Sequence, residues 1–440
     1  MKRSTVLFAA LLAVALLALA AYGSKSASSN STTSSSPASV AGSTAVKGSV
    51  KIVGVWTGAE QKHFQAVLDG FKKANPKVKV KYQPSTNLTQ DLSTAVEGGN
   101  PPDLAAIPSP GIMKDYQKRG AIKPIEFARS EVEDNFNKDW VDLGTINGKL
   151  YGVFFKGANK STIWYSKQAF NNAGVQPPSS WSDLMKAADT IKASGTTPWS
   201  IDAGDGWPLT DFFENIYAST AGPDKYRQLA DHKIPWTDPS VKQALSIMGQ
   251  VFKKPDQIVG GTSGALQTQL TNAVTVVFSK PPKAAMMPEG DFVPGVVAGK
   301  APAKVGTDVD FFDFPKAGDN SAVVSGGNVV VMFKDSPAAE ALVKYLASPQ
   351  AGEIWAKRGG FSSPNKNVSA DAYPDDVTRR AATEVASADN LVFDMSDLAP
   401  GQFGSADEWT ILQGFFKKPD DVNGAAQKLE AAAAKAYKSG

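Results

Sequence analysis

The stretch VKIVGVWTGAEQKHFQAVLDGFKKANPKVKVKY, Val50 to Tyr82, decides the fold. Val50 to Val55 is rich in β-branched residues and predicts a strand, and Val78 to Tyr82 predicts a second one. Between them, Glu60 to Ala74 sets Phe64, Val67, Leu68 and Phe71 on one face of a helix. Strand, helix, strand implies a parallel α/β unit. The pattern continues with a helix from Leu88 to Val96, a strand from Leu104 to Ile107 after Pro101-Pro102, and a helix from Ile112 to Arg119 closed by Gly120.

A fresh set starts at Ser161, with a strand at Thr162 to Tyr165 and helices at Lys167 to Ala173 and Trp181 to Ala193. The run Asn328 to Phe333 and the helix Ala338 to Leu346 read as a return to the first unit, and helices from Gln350 onward as completing the second. The expected organisation is two α/β lobes joined by several strands. Lobe one takes residues 48–157 and 314–349, and lobe two takes 158–313 and 350–440. A chain of 440 residues is long enough for two such bodies.

The first twenty residues have a basic start, an apolar run from Val6 to Leu19 and small residues at their end, which predicts an export signal. The sequence Leu19-Ala20-Ala21-Tyr22-Gly23-Ser24 looks like a lipobox with Tyr22 where the acylated cysteine would stand. Ten serines between Ser24 and Ser43 then predict a flexible tether over 21–47. The localisation expected is the outer face of the cytoplasmic membrane or the periplasm. The formal charge of +3 drops by two when Lys2 and Arg3 leave with the signal, so nothing in it calls for nucleic acid or a membrane surface as partner.

With two histidines, His63 and His232, and no cysteine, the common zinc and thiolate sites lack ligands, and no cofactor is expected. His63, between Lys62 and Phe64, reads as a surface residue. No phosphate-binding loop, dinucleotide fingerprint or nucleophile elbow is present. Gly260 to Gly264 and Ser325-Gly326-Gly327-Asn328 read as turns, the second able to lay backbone amides against a ligand. A glycosidase needs only two carboxylates, for which Asp205, Asp211 and Glu214 are the candidates.

Nine tryptophans is a high number, and Trp56, Trp199, Trp207 and Trp236 fall in loop-like sequence. Flat rings interleaved with Asp, Glu, Asn and Arg suit a sugar, whose apolar faces stack while its hydroxyls hydrogen-bond. Core packing is the competing reading for each of them.

Three motifs, EGGNPPDLAAIPSPG at 97–111, DLGTINGKLYGVFFKGANKSTIWYS at 142–166 and WAKRGGFSSPNKNV at 355–368, resemble the carbohydrate-binding subunits of ABC importers, most closely the α-glucoside-binding group. The resemblance runs from about Gly48 to Tyr437. It implies a non-catalytic, monomeric receptor of the type II periplasmic-binding-protein fold, with a carbohydrate ligand and a membrane permease, driven by an ATPase subunit, as partners. Carried over by position, the ligand-facing residues are Trp56, Thr57, Glu60, Ser109, Pro110, Asn159, Lys160, Trp207, Asp211, Gly327, Asn328, Arg358 and Trp409. Relatives often carry a cysteine pair where this chain has Ser200 and Ala284, and an aromatic and a histidine in the stretch Ala284 to Glu289. These departures leave open a ligand other than a typical α-glucoside. A polyol or other non-sugar solute is the alternative cargo.

Overall fold

The computed structural model describes residues 46–388 and 390–439. The signal expected over 1–20 and all of the tether but its last two residues lie outside the described residues. The strands, in chain order, are β1 (Gly48–Gly54), β2 (Val78–Pro84), β3 (Leu104–Ile107), β4 (Thr145–Ile146), β5 (Lys149–Leu150), β6 (Gly152–Asn159), β7 (Thr162–Ser166), β8 (Thr197–Trp199), β9 (Ala284–Pro288), β10 (Val309–Asp313), β11 (Val323–Met332) and β12 (Leu391–Phe393).

The expected strand–helix–strand unit is present as β1, the helix Gly58–Ala74 and β2, with Val50 opposite Val80 in parallel register. Its buried helical residues are the four that the spacing put on one face, Phe64, Val67, Leu68 and Phe71. One sheet runs in the order β12-β11-β3-β1-β2, with β6 also on β11, and a second runs β10-β7-β9-β8. Each has its own apolar core. Ile52, Phe64, Phe71, Leu104, Ile107 and Val329 to Val331 belong to the first, and Phe170, Leu184, Trp199, Phe212, Trp236, Met248 and Leu412 to the second. A smaller cluster around Trp164, Val277, Val293 and Phe311 backs the second sheet.

Three stretches of chain carry the connection. β6 is followed after two residues by β7 of the other sheet. β11 has Val324 in the second core and Val329 in the first, and Phe393 and Met395 likewise fall on opposite sides.

Two readings need correction. Gly326-Gly327-Asn328 is not a turn but the interior of β11, where the register slips between Asn328 and Val329. The glycine there answers to crowding, since a Cβ on Gly327 would stand 2.9 Å from the Lys156 carbonyl and 3.2 Å from the Trp140 ring. The helix Pro349–Ala356, assigned by the sequence to lobe two, packs on the helix Gly58–Ala74 and sends Trp355 into the first core. Its apolar positions were legible, but their destination depends on the path of the chain after β11.

Candidate functional site

Parallel strands leave their carboxyl ends on one edge of a sheet, where loops can surround a ligand. Here Val55 and Trp56 follow β1, residues 86–91 follow β2, and Pro108 follows β3. These loops wall a cavity of about 720 Å³. Glu60, Lys156 and Ala158 of β6, Lys160, and Gly327 and Asn328 of β11 line it from the same side. Trp207, Leu270, Phe292, Asp394, Ser396, Asp397, Ser405 and Trp409 complete the wall.

Seven of the thirteen residues named from the sequence, Trp56, Glu60, Lys160, Trp207, Gly327, Asn328 and Trp409, meet on this cavity. Trp56 is only 1% exposed and packs against Phe64, Tyr82, Phe155 and Trp355, so it is core as much as wall. Its indole N–H donates to Asn328 Oδ1 at 2.9 Å. Trp207 is half-buried, with its ring edge-to-face on Phe292 at 5.8 Å and Lys160 Nζ 5.6 Å from its centroid. Gly206, at φ 83°, packs on Trp409 so closely that a Cβ there would lie 2.8 Å from the Trp409 Cβ. The glycine therefore sets the two indoles relative to each other. Trp409 follows a π-helical turn over Phe403–Asp407, and among the described residues its N–H has no partner.

The other six stand elsewhere. Thr57 is the exposed residue before the helix Gly58–Ala74. Ser109 is fully buried, capping the helix Pro110–Lys118 through Ile112 N and donating to the Asp397 carbonyl at 2.5 Å, with Pro110 buried beside it. Asn159 is buried between the Ala381 carbonyl and Glu384, and its own N–H donates to Asp291. Burial pushes Asp291 up to about 6 and Glu384 up to about 7. Asp211 sits one layer behind the wall, paired with Lys160. Arg358 is exposed and donates to the Ile354 carbonyl. His63 is half-buried, edge-on to Trp355 at 6.1 Å. Burial, with Arg358 adding to it, lowers its affinity for a proton.

Of the loop-like tryptophans, Trp199 and Trp236 are both core. Asp205 accepts from Leu270 N at 2.8 Å. Glu214 is fully buried, taking hydrogen bonds from Tyr226 Oη, Met395 N and Ser396 N. Neither carboxylate faces the cavity, so the arrangement required to flank a glycosidic bond is not assembled from these candidates. Among the described residues no group of three His, Cys, Asp or Glu is placed to hold a metal ion.

Of the electrostatic centre of the site, the sequence marked Lys160 and Asp211 but not Asp394. Lys160 Nζ bridges Asp211, at 3.0 Å, and Asp394. Asp394 is buried, which favours its protonated form, but Lys160 outweighs this, and with Ser396 Oγ and Asp397 N also donating, its carboxyl is held down to about 2. Burial, and then the neighbouring carboxylates, push Glu214, Asp397 and Glu408 upward. Asp211 is also raised, burial and Asp394 prevailing over the pull of Lys160. Asp394 to Asp397 lie more than 230 residues from Lys160, and no local pattern links them; Lys156 and Phe292 were likewise unmarked.

The profile of the bacterial extracellular solute-binding proteins matches residues 56–353. An osmoprotective compounds-binding protein, GgtB, of Synechocystis sp. is 33% identical over 380 residues, covering 84% of this chain and 89% of the relative. The alpha-glucosides-binding periplasmic protein AglE of Rhizobium meliloti is 31% identical over 399 residues, 86% of each. Among solved structures, the solute receptor AcbH superposes with a TM-score of 0.78 at 20% identity, over 89% of this chain and 100% of that one. The GacH receptor of Streptomyces glaucescens gives 0.70 at 20% identity, over 89% and 99%. These likenesses carry the periplasmic-binding-protein fold. On the extent of the profile match and of the two relatives, the chain belongs to the bacterial extracellular solute-binding proteins, the non-enzymatic binding subunits of sugar ABC importers.

Proposed function

We propose that the cavity is the cargo site, that its cargo is a glucoside of the α-glucoside or osmoprotective class, and that capture closes two lobes around it for delivery to a membrane permease. The carrying observation is the pairing of two half-buried indoles, Trp207 and Trp409, with Asn328, Lys160 and Asp394 on one cavity. Indole faces take the apolar faces of a pyranose, and the amide, ammonium and carboxylate take its hydroxyls. The names of the two relatives, one for osmoprotective compounds and one for α-glucosides, support the ligand class.

Walls from both cores are what such a mechanism needs. A ligand shifts an open–closed equilibrium only by binding the closed form more tightly, so it must touch both sides. Glu60 lies on the helix Gly58–Ala74, which packs in the first core, and Asn328 on β11 of the first sheet, whereas Trp207 and Trp409 lie on helices packed in the second core. Export to the outer face of the membrane or the periplasm follows from the leader sequence, with Tyr22 in the acylation position.

A thermal-shift screen against trehalose, sucrose, maltose, longer maltooligosaccharides, polyols and amino acids, with calorimetry on each hit, tests the reading. A saccharide that raises the melting temperature and is recovered intact supports it. Stabilisation by a polyol or amino acid alone would sink the glucoside assignment.

A further inference from the structure

Asn328 enters the cavity wall from β11, and the atom it offers there is decided by Trp56. The Trp56 indole nitrogen lies 2.9 Å from Asn328 Oδ1. An indole N–H only donates, whereas an amide accepts at one end and donates at the other, so the end facing Trp56 is the oxygen. Turning the amide over would set N–H against N–H and leave the indole donor unpaired in a site closed to water, which costs more than a hydrogen bond gains. The opposite end, the Asn328 NH2, has no partner among the described residues and is not sealed inside the protein. It is the end left to the cavity that Asn328 lines.

Trp56 cannot follow the cargo. Its side chain is closed in by Phe64, Phe155 and Trp355, with ring centroids 4.5, 6.0 and 5.0 Å away, and only 1% of the residue is exposed. Tyr82 Oη donates to its carbonyl at 2.9 Å and holds the main chain as well. A ring so covered has no face to offer a sugar. What it contributes to the cavity is the direction of one hydrogen bond.

We infer that Trp56 is a positioning residue for the cargo: its indole N–H locks the Asn328 amide so that this point of the wall presents only donors, and the cargo atom meeting it is an oxygen that accepts. The inference rests on the cavity being the sugar site. A hydroxyl, ring or bridging oxygen of a glucoside meets the requirement, and a protonated amine, which has donors alone, does not. An amide free to turn would take either kind and could not tell them apart.

Calorimetry on the full chain with trehalose, maltose and sucrose tests this through Trp56→Phe, which keeps a ring in the aromatic cluster and removes the donor. For each sugar that binds the wild type, affinity should fall about fivefold, the scale of one neutral hydrogen bond. Asn328→Ala should weaken binding by at least as much, and adding Trp56→Phe to it should weaken binding no further, because the tryptophan acts through the amide. Asn328→Asp, which still accepts from the indole but puts an oxygen where the NH2 stood, should bind no better than Asn328→Ala. Melting curves separate lost positioning from lost folding: Trp56→Phe should still lower the melting temperature in the Asn328→Ala background, where it no longer moves affinity. If Trp56→Phe or Asn328→Asp binds as the wild type does, or if the losses from Trp56→Phe and Asn328→Ala simply add, the inference is overturned and the sugar site stands. If the wild type binds none of the three sugars, the sugar site falls and the inference with it.

Discussion

The Trp56 indole N–H, 2.9 Å from Asn328 Oδ1, ties the loop after β1 to the bulge of β11 across the floor of the cavity. The two residues look alike in sequence to Trp207 and its neighbours, but their mechanical position differs. Trp56 is 1% exposed inside an aromatic cluster, so Trp56→Ala should cost roughly 3–5 kcal/mol of folding stability. Trp207 is half-buried on the wall, and Trp207→Ala should cost roughly 1–3 kcal/mol of sugar binding, by analogy with stacking of bases on aromatic side chains, and much less stability. Urea unfolding and calorimetry on both variants should give opposite orders of effect; the same order in both measurements would show that the two tryptophans share one role.

Gly206 gives a sharper test of the wall, because it touches no ligand. At φ 83° an L side chain is strained, and its Cβ would meet the Trp409 Cβ at 2.8 Å. Gly206→Ala should therefore push Trp409 from its place, weakening sugar binding about tenfold or more while costing roughly 1–3 kcal/mol of stability. A change in the tryptophan fluorescence response to ligand is the direct readout. Unchanged affinity would mean that Trp409 is not a platform.

The parts of the fold that follow local rules were legible. β3 at Leu104–Ile107 and the helices at Lys167–Ala173 and Trp181–Ala193 coincide with the predicted spans, since apolar period and caps such as Ser166 and Ser180 act over a few residues. Long-range placement was not legible. Ser109 reads as a ligand residue after a strand, yet the nearby Asp397 carbonyl makes it a structural donor, and Arg358, followed by Gly359 and Gly360 at positive φ, is not among the residues lining the cavity. Asp394 and Asp397 carried no signal because their meaning comes from Lys160, supplied by a strand end far away in sequence.

Asp202 and Glu289 are a buried pair of acids, 1% and 3% exposed, in hydrogen-bonding contact with each other. Burial pushes Asp202 up to about 7, and burial together with the charge of Asp202 raises Glu289. The folded state thus holds protons that the unfolded chain has released above its ordinary value of 3.8. The contribution is fully present below that value and is lost as pH rises through about 7, so the melting temperature should fall between pH 5 and pH 9. Asp202→Asn supplies a donor that does not titrate and should flatten this decline. A variant curve parallel to the wild type would place the pH dependence in other groups.

Lys160 makes the opposite prediction. Its ammonium bridges Asp211 and Asp394, with its side chain 12% exposed, so Lys160→Met should leave both buried acids without that cationic partner and cost roughly 3–5 kcal/mol at neutral pH. Asp394 is depressed from its ordinary 3.8 to about 2 despite burial, chiefly through Lys160. A depressed acid contributes stability above its unfolded value and loses it as pH falls toward the folded one. The difference between wild type and Lys160→Met should therefore be greatest near pH 7 and narrow below pH 4, as Asp394 takes up a proton in both proteins. Because Lys160 also lines the cavity, the variant should bind sugar weakly even at a temperature where it remains folded. Denaturant titrations at several pH values decide the matter: a constant difference across the range would mean that Lys160 acts by packing along its methylene stem and not by holding Asp394 ionised.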